Sequence, residues 1–280
     1  MIMFQKKNKE PKSDQLPRDY RKYLLVFLGS VLFVTWLLNT PPGLLGKTDA
    51  VGYAVCHRIS SHSFYLAERP FSLCARCSGQ YLGFLWGISL QWILAKKRVG
   101  FPRKAAFLVL GLFFLAYLMD GINSAMHLYP GLERWTLYEP INELRLFTGL
   151  GMGLVISAIL FPLAGQTIWK EFTIAPALEK PRDWLIFLGG EVILGLLVLS
   201  GNPLFLYPMI ILSALGLLVL LMVLYSVIWL LLVKRENKIE TGKELFWWGV
   251  AGLVSALAQI MAVDGIRFLL TGTWSGFLDY

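Results

Sequence analysis

Residues 53–83 read YAVCHRISSHSFYLAERPFSLCARCSGQYLG, and this stretch contains all three cysteines and two of the three histidines of the chain. An adjacent pair, Cys56 and His57, precedes a Cys-x-x-Cys pair formed by Cys74 and Cys77. Thiolate sulfur and imidazole nitrogen are the ligands that zinc prefers in proteins. The pattern therefore predicts an ordered polar loop that holds a metal ion.

The segments on either side of this loop are strongly hydrophobic. The chain has 280 residues, of which 56% are hydrophobic and only 16% are charged, whereas soluble proteins carry about 25% charged residues. Several uncharged runs approach the length of about 20 residues that a helix needs to cross a bilayer. We therefore expect an all-α integral membrane protein, with the bilayer as its immediate partner. The net charge of +8 is no argument for nucleic acid, because the basic residues flank hydrophobic runs and set topology there.

Seven hydrophobic segments are predicted to span the membrane, at residues 23–38, 78–95, 105–124, 146–164, 184–200, 204–233 and 246–270. Basic residues are concentrated before the first segment and in alternate loops after it, as the positive-inside rule requires of cytoplasmic segments. This pattern predicts a protein of the cytoplasmic (inner) membrane of a prokaryote. The N-terminus would be inside, and the Cys/His loop and the C-terminus outside.

The same pattern divides the chain into three parts. Residues 1–22 form a basic cytoplasmic tail, and residues 23–164 form a four-helix membrane unit that contains the Cys/His loop. Residues 165–280 form a C-terminal unit of three helices. The oligomeric state is not indicated by any of these features.

The predicted metal ligands all lie on one side of the membrane. They are Cys56, His57, Cys74 and Cys77, with His62 and His127 as alternates. Water in an open coordination position is a further possibility for the fourth ligand. Oxidation is the main competing interpretation: Cys56 would pair with Cys74 or Cys77, or Cys74 and Cys77 would act as a thiol-redox pair, because an outer face is often oxidising.

Ionisable residues inside the predicted spans form a second set of candidates: Asp120, Glu191, Asp264 and Arg267. Charged groups in hydrocarbon are costly unless they are paired or hydrated, so they often mark a transport path or a proton relay. The structural alternative is that Asp120 pairs with Arg145, and Asp264 with Arg267, to lock the bundle.

Arginines near the Cys/His loop form a third set, which includes Arg58, Arg76 and Arg145. Guanidinium binds phosphate and carboxylate groups in a bidentate manner, so these residues predict a site for an anionic or lipid-linked substrate. The alternative is contact with bulk lipid headgroups or with acidic residues of the loops, such as Glu68. Glycines repeat every fourth residue at Gly79, Gly83 and Gly87 and again at Gly149 and Gly153; this spacing predicts close helix packing.

At these residues the sequence resembles an uncharacterised family of prokaryotic membrane proteins, domain of unknown function 2085. The resemblance covers about residues 50–155 and is carried by the following motifs: Cys56-His57, Ser63-Phe64, Cys74-Ala-Arg-Cys77-Ser-Gly79, Asp120-Gly121 and Asn142-x-x-Arg145-x-x-Thr148-Gly149. Arg58 and His62 depart from the family pattern, which has glutamine and arginine at these positions. The resemblance implies that the Cys/His loop, Asp120, Asn142 and Arg145 form one unit, and it adds Asn142 to the residues expected to bind an anion. It implies no reaction.

Together these features predict a membrane protein with a zinc site on its outer face, and whether it is an enzyme stays open. In a metalloenzyme, Arg76 and Arg145 would orient an anionic group, and Asp120 would act as general base or support a metal ligand. The alternatives are a transporter or channel that uses the intramembrane charges, a thiol-redox protein, and a scaffold subunit whose metal loop joins two helices.

Overall fold

The computed structural model of the chain describes residues 18–95 and 97–275. Most of the predicted basic tail, at residues 1–17, lies outside the described residues. Lys96 and residues 276–280 lie outside them as well.

The described chain is almost entirely helical. Its helices are α1 (Arg18–Asn39), α2 (Leu44–Tyr53), α3 (Ala75–Ala95), α4 (Lys104–Leu128), α5 (Asn142–Ile168), α6 (Pro181–Leu199), α7 (Pro203–Leu232) and α8 (Gly242–Thr271). Seven of them coincide with the seven predicted hydrophobic segments. The short α2 was not predicted, because it lies in the polar loop after the first segment.

Within residues 18–95 and 97–275, five helices are long and apolar enough to cross a membrane: α1, α4, α5, α7 and α8. The all-α membrane class is therefore supported, whereas the number of seven spans stays a prediction. The two other predicted spans, α3 and α6, are not among these five helices. More than half of the residues of α3 are buried inside the protein. Helix α6 carries three charged residues, Arg182, Asp183 and Glu191.

The ends of the last two helices follow the usual rules of capping. The side chain of Asn202 accepts a hydrogen bond from the first turn of α7, and Pro203 begins that helix, where the missing N–H of proline costs nothing. The Thr241 side chain accepts a hydrogen bond from the N–H of Glu244 at the start of α8. Gly272 ends α8 with a φ of 69°, a left-handed conformation that glycine adopts without strain.

Helices α3 and α5 touch backbone to backbone through their glycines. A Cβ atom at Gly83 would lie 2.3 Å from the carbonyl oxygen of Leu150, and one at Gly149 would lie 2.2 Å from the carbonyl oxygen of Arg76. A Cβ at Gly79 would meet α5 at a similarly short distance. The close helix packing that the glycine spacing predicted is therefore confirmed, because no larger residue fits between these backbones.

The segment between α1 and α3 is an ordered cap at one end of the bundle. It consists of α2, a 3-10 turn at Ser60–His62, and an antiparallel hairpin of β1 (Tyr65–Leu66) and β2 (Arg69–Pro70). At the other end of α3 and α5, β3 (Arg98–Gly100) pairs in parallel with β4 (Thr173–Pro176). We call the end that carries the cap the cysteine end.

The glycine contact makes a prediction about stability. Replacing Gly83→Ala should lower the free energy of unfolding by about 1–3 kcal/mol, because the new methyl group overpacks the α3–α5 contact. Gly111→Ala is the matched control, since a Cβ at Gly111 has nothing within 4 Å and alanine favours helix by up to about 1 kcal/mol. Unfolding of both variants in detergent measures the difference. Equal stability of the two would show that α3 and α5 can separate without cost.

Candidate metal centre

The three cysteine sulfurs come together at the cysteine end. Cys56 lies just beyond α2, Cys74 directly precedes α3, and Cys77 lies in the first turn of α3. Their Sγ atoms all lie within 4.8 Å of one another. Cys56 is 2% exposed and Cys74 is 5% exposed, and Cys77 is half-buried. We call this group the three-sulfur cluster.

Backbone N–H groups point at one sulfur of the cluster. The Sγ atom of Cys56 accepts hydrogen bonds from the N–H of Cys74 at 3.3 Å and from the N–H of Arg58 at 3.4 Å. Arg58 has a left-handed φ of 53°, which is uncommon for a residue with a side chain. Hydrogen bonds from the other two thiols and from these N–H groups hold the pKa of Cys56 well below its ordinary value. The loop is therefore built to stabilise a thiolate at Cys56.

The pKa of Cys74 is raised, first by its hydrogen bond to Cys56 and then by burial. A second thiolate next to the first is costly without a cation, because two like charges would share one buried site. A bound metal ion removes this cost, since a coordinated thiol gives up its proton. The cluster therefore has the donor chemistry of a metal site, and its three sulfurs could hold a metal ion.

The three histidines that the sequence offers as ligands lie outside the three-sulfur cluster of the described residues. In the described chain, the group of ligand atoms within 4.8 Å of one another consists of the three sulfurs, and His57 is not a member. His57 and His127 are exposed, and His62 is half-buried. The rings of His57 and His62 are 6.2 Å apart between centroids. Burial, and then the positive charge of Arg145, lower the pKa of His62 to about 4, so this imidazole is neutral at pH 7. A histidine as fourth ligand stays a prediction.

Asp120 forms a buried ion pair with Arg76, which extends from the first turn of α3. Its carboxylate also accepts hydrogen bonds from Tyr138 Oη at 2.9 Å and from Thr148 Oγ1 at 3.2 Å, and Asp120 is 1% exposed. The predicted pairing of Asp120 with Arg145 is therefore wrong. Helices α3 and α4 both pack against α5, and in this arrangement Arg76 reaches the carboxylate of Asp120. Because both carboxylate oxygens are already engaged, this geometry favours a structural role for Asp120 over that of general base.

Arg145 is a buried cation with neutral hydrogen-bond partners. Its Nη1 donates to Asn142 Oδ1 at 2.8 Å, and its Nε donates to Ser124 Oγ at 3.4 Å. The same Ser124 hydroxyl accepts a bond from Arg76 Nη2 at 2.9 Å. Arg145 is 5% exposed, and among the described residues it forms no ion pair with a carboxylate. Two guanidinium groups thus converge beside the cap, and one of them, Arg145, forms no ion pair with a carboxylate in the part of the chain that the structure describes.

Asn142 ties the cap to α5. Its Nδ2 donates to the carbonyl oxygens of Ser61 at 3.1 Å and Ser63 at 3.4 Å, the two residues that flank His62. Through Arg145 and Ser124, this contact continues to the ion pair of α3 and α4. The structure thus places residues of the motifs in Cys74–Gly79, Asp120–Gly121 and Asn142–Gly149 in one hydrogen-bond network.

Arg58 lies in a different network from Arg145. Arg58 Nη2 is 3.1 Å from Asp49 Oδ1, and Arg69 forms an ion pair with the other oxygen of Asp49. Ser72 Oγ donates to the same carboxylate at 2.8 Å. The acidic partner is thus Asp49, on the helix α2 that the sequence did not predict, rather than one of the loop glutamates (Glu68, Glu139 and Glu143) that were the alternative partners of these arginines. The sequence carried no signal for this role, because Asp49 lies outside every motif.

The last helix also reaches the cluster. Arg267 of α8 donates through Nη1 to the carbonyl oxygens of Tyr53 at 2.5 Å and Cys56 at 2.7 Å. Asp264, one turn earlier, is 3% exposed, and neither of its carboxylate oxygens has a hydrogen-bond partner among the described residues. The predicted Asp264–Arg267 ion pair is therefore not formed. Glu191 is 5% exposed on α6.

These features define a helical membrane protein with a three-cysteine cluster at one end of its bundle. Residues 56–159 match the family described as a predicted membrane protein, DUF2085, which confirms the resemblance for this part of the chain. An uncharacterised protein of Methanocaldococcus jannaschii is 28% identical over 163 residues, which cover 54% of this chain and 97% of that protein. No solved structure is significantly similar to this chain.

The buried ion pair makes a second prediction. Asp120→Asn should lower the free energy of unfolding by about 3 kcal/mol, because it leaves the guanidinium of Arg76 without its counter-charge. Glu179→Gln is the matched control: it breaks the more exposed pair of Glu179 with Arg98 and should cost less than about 1 kcal/mol. Unfolding of both variants in a detergent titration measures the two costs. A small cost at Asp120 would mean that Arg76 finds another partner.

Proposed function

We propose that this protein binds a zinc ion through the thiolates of Cys56, Cys74 and Cys77, with an open fourth position that receives an anionic group. The observation that carries the proposal is the approach of the three sulfurs to within 4.8 Å of one another. Three protein ligands with one open position are the arrangement that catalytic zinc sites use, whereas structural zinc sites have four protein ligands.

The surroundings of the cluster support binding of a cation there. Backbone N–H groups already bond to Cys56 Sγ, and such contacts fix a sulfur ligand and tune its charge. The cluster also packs against a hydrophobic core that includes Trp36, Leu73 and Leu217. Burial among apolar groups excludes competing water, which strengthens the attraction between the thiolates and a metal ion.

Arg145 supports the anionic part of the proposal. A buried guanidinium without a carboxylate partner is costly, and an anion bound beside it would remove that cost. His62 is neutral at pH 7 and lies close enough for the charge of Arg145 to act on it. The ligand we propose carries a phosphate or carboxylate group, either free in solution or on a lipid-linked substrate. Arg76 contributes less to the attraction of an anion, because its own charge is balanced by Asp120.

The proposed setting is the cytoplasmic membrane of a prokaryote, with the cysteine end on the outer face. Seven spans, the five apolar helices together with α3 and α6, give this orientation when the basic loops are placed inside. An anionic or lipid-linked substrate would then reach the site from the outer headgroup region. The bilayer is the partner that this proposal requires.

Thiol-redox chemistry is the second candidate, and the same sulfur distances favour it. Three sulfurs within 4.8 Å of one another leave a short path to a disulfide between any two of them. A transporter is less well supported, because two of its four proposed groups already have partners: Asp120 is bound by Arg76, and Arg267 bonds to backbone carbonyl oxygens.

Metal analysis of the protein purified in detergent tests the proposed site. We expect about one zinc ion per chain in the wild type, loss of zinc in Cys77→Ser, and retention of zinc in His57→Ala, because the imidazole is not part of the three-sulfur cluster. Loss of zinc in His57→Ala would show a closed four-ligand site and would end the proposal of an open position. A wild type without metal, whose thiols titrate as a disulfide, would favour the redox alternative.

The anionic ligand is tested with inorganic phosphate on the cobalt-substituted protein. Phosphate should change the visible cobalt spectrum, and Arg145→Gln should raise the phosphate concentration needed for half of this change by about tenfold, because one charge-assisted interaction is lost. Arg134→Gln, which removes an exposed arginine from the α4–α5 loop, is the matched control. A spectrum that does not respond to phosphate, or an equal response in all three proteins, would refute an anion site at Arg145.

A further inference from the structure

The last helix holds the backbone from which Cys56 extends. Arg267 Nη1 bonds to two carbonyl oxygens of the cap, those of Tyr53 and Cys56. Its guanidinium carbon lies 3.9 Å from the centroid of the Tyr53 ring, which is a cation–π contact. Arg267 is 7% exposed. One buried cation thus joins the two ends of the short segment that leads from α2 to the first cysteine.

The residues after Arg267 strengthen the same contact. Tyr53 Oη lies 2.9 Å from Thr271 Oγ1 and donates to the carbonyl oxygen of Thr273 at 2.7 Å. The Tyr53 ring also packs on the ring of Trp274, with 5.1 Å between centroids. The last residue of α8 and the residues just after it therefore contact the Tyr53 side chain, while Arg267 bonds to the backbone of Tyr53.

We propose that Arg267 is a positioning residue for the three-sulfur cluster: it fixes the backbone of Cys56 so that its sulfur meets those of Cys74 and Cys77. The expected effect of Arg267 on metal affinity rests on the metal site proposed above. The orienting effect on Cys56 does not depend on a metal and is tested separately.

Cys56 needs this additional contact because its backbone is held differently from that of the other two cysteines. Cys74 and Cys77 belong to the start of α3, so the helix itself sets their spacing. Cys56 lies outside any helix, 18 residues before Cys74, and its Cα–Cβ direction depends on the peptide planes next to it. Arg267 bonds to the carbonyl of one of these planes. Groups that orient a metal ligand typically change metal affinity by about 10–100-fold when they are lost.

The helix that supplies Arg267 lies outside the part that matches the family, which is residues 56–159. The contact therefore joins a helix outside the family match to Cys56, the first matched residue. It gives the C-terminal helices a role at the metal site.

Two substitutions at Arg267 and one control test the proposal. Arg267→Met removes the donor and keeps a long side chain, whereas Arg267→Lys keeps a cation that can reach a carbonyl oxygen. Thr271→Val removes the hydroxyl one turn later, which contacts Tyr53 but not the backbone of Cys56. The first measurement is cobalt affinity, together with the sulfur-to-cobalt charge-transfer band. We expect Arg267→Met to weaken binding by about tenfold or more, Arg267→Lys to restore most of it, and Thr271→Val to match the wild type.

The second measurement is the alkylation rate of each cysteine in the metal-free proteins, resolved by peptide mass spectrometry. Arg267→Met should accelerate alkylation of Cys56 several-fold and leave Cys77 unchanged. If the wild type binds no cobalt but Cys56 still responds in this way, the metal function fails and the positioning role stands. Unchanged affinity and unchanged alkylation in Arg267→Met would overturn the proposal. Equal acceleration at all three cysteines would also overturn it, because that result indicates general loosening of the fold.

Discussion

The direct contact between the backbones of α3 and α5 is the constraint on which the rest of the site depends. Glycines on both helices allow it, since a Cβ at Gly83 or Gly149 would clash with a carbonyl oxygen of the other helix. Close approach places the first turn of α3, with Cys77 and Arg76, directly against the start of α5, with Arg145. A wider separation would leave the arginines, the carboxylate of α4 and the sulfurs as unconnected groups at the end of a bundle.

The two arginines near the three-sulfur cluster, Arg76 and Arg145, differ in how their charges are balanced. Arg76 is neutralised by Asp120, whereas the buried Arg145 bonds only to neutral groups among the described residues. Three thiolates around a divalent cation carry net negative charge, and a positive group close to such a centre lowers its energy. The charges of the two groups therefore complement each other. The sulfurs favour a cation among them, and the nearby arginine favours negative charge beside that cation.

The two halves of the chain contribute differently. The part that matches the family, residues 56–159, supplies the three sulfurs, the α3–α5 contact and the buried ion pair. The C-terminal helices supply a brace: Arg267 bonds to the cap backbone, and Arg58 Nη1 donates to the carbonyl oxygen of Trp274 at 3.0 Å. A buried arginine in a membrane helix is costly unless it is satisfied, and here carbonyl oxygens of the cap accept its hydrogen bonds.

The sequence by itself determined the helical membrane class, the approximate bounds of seven helices, the family resemblance and the residues that form the cluster. These follow from hydrophobic run length, basic flanks and ligand type, all of which are local properties. Only the tertiary structure decided which groups are partners. Asp120 pairs with Arg76 instead of Arg145, and Arg58 pairs with Asp49. Arg267, the predicted partner of Asp264, bonds instead to the carbonyl oxygen of Cys56. Such pairings depend on how closely helices approach and which way each side chain projects, and neither quantity is encoded in the spacing of residues along one chain.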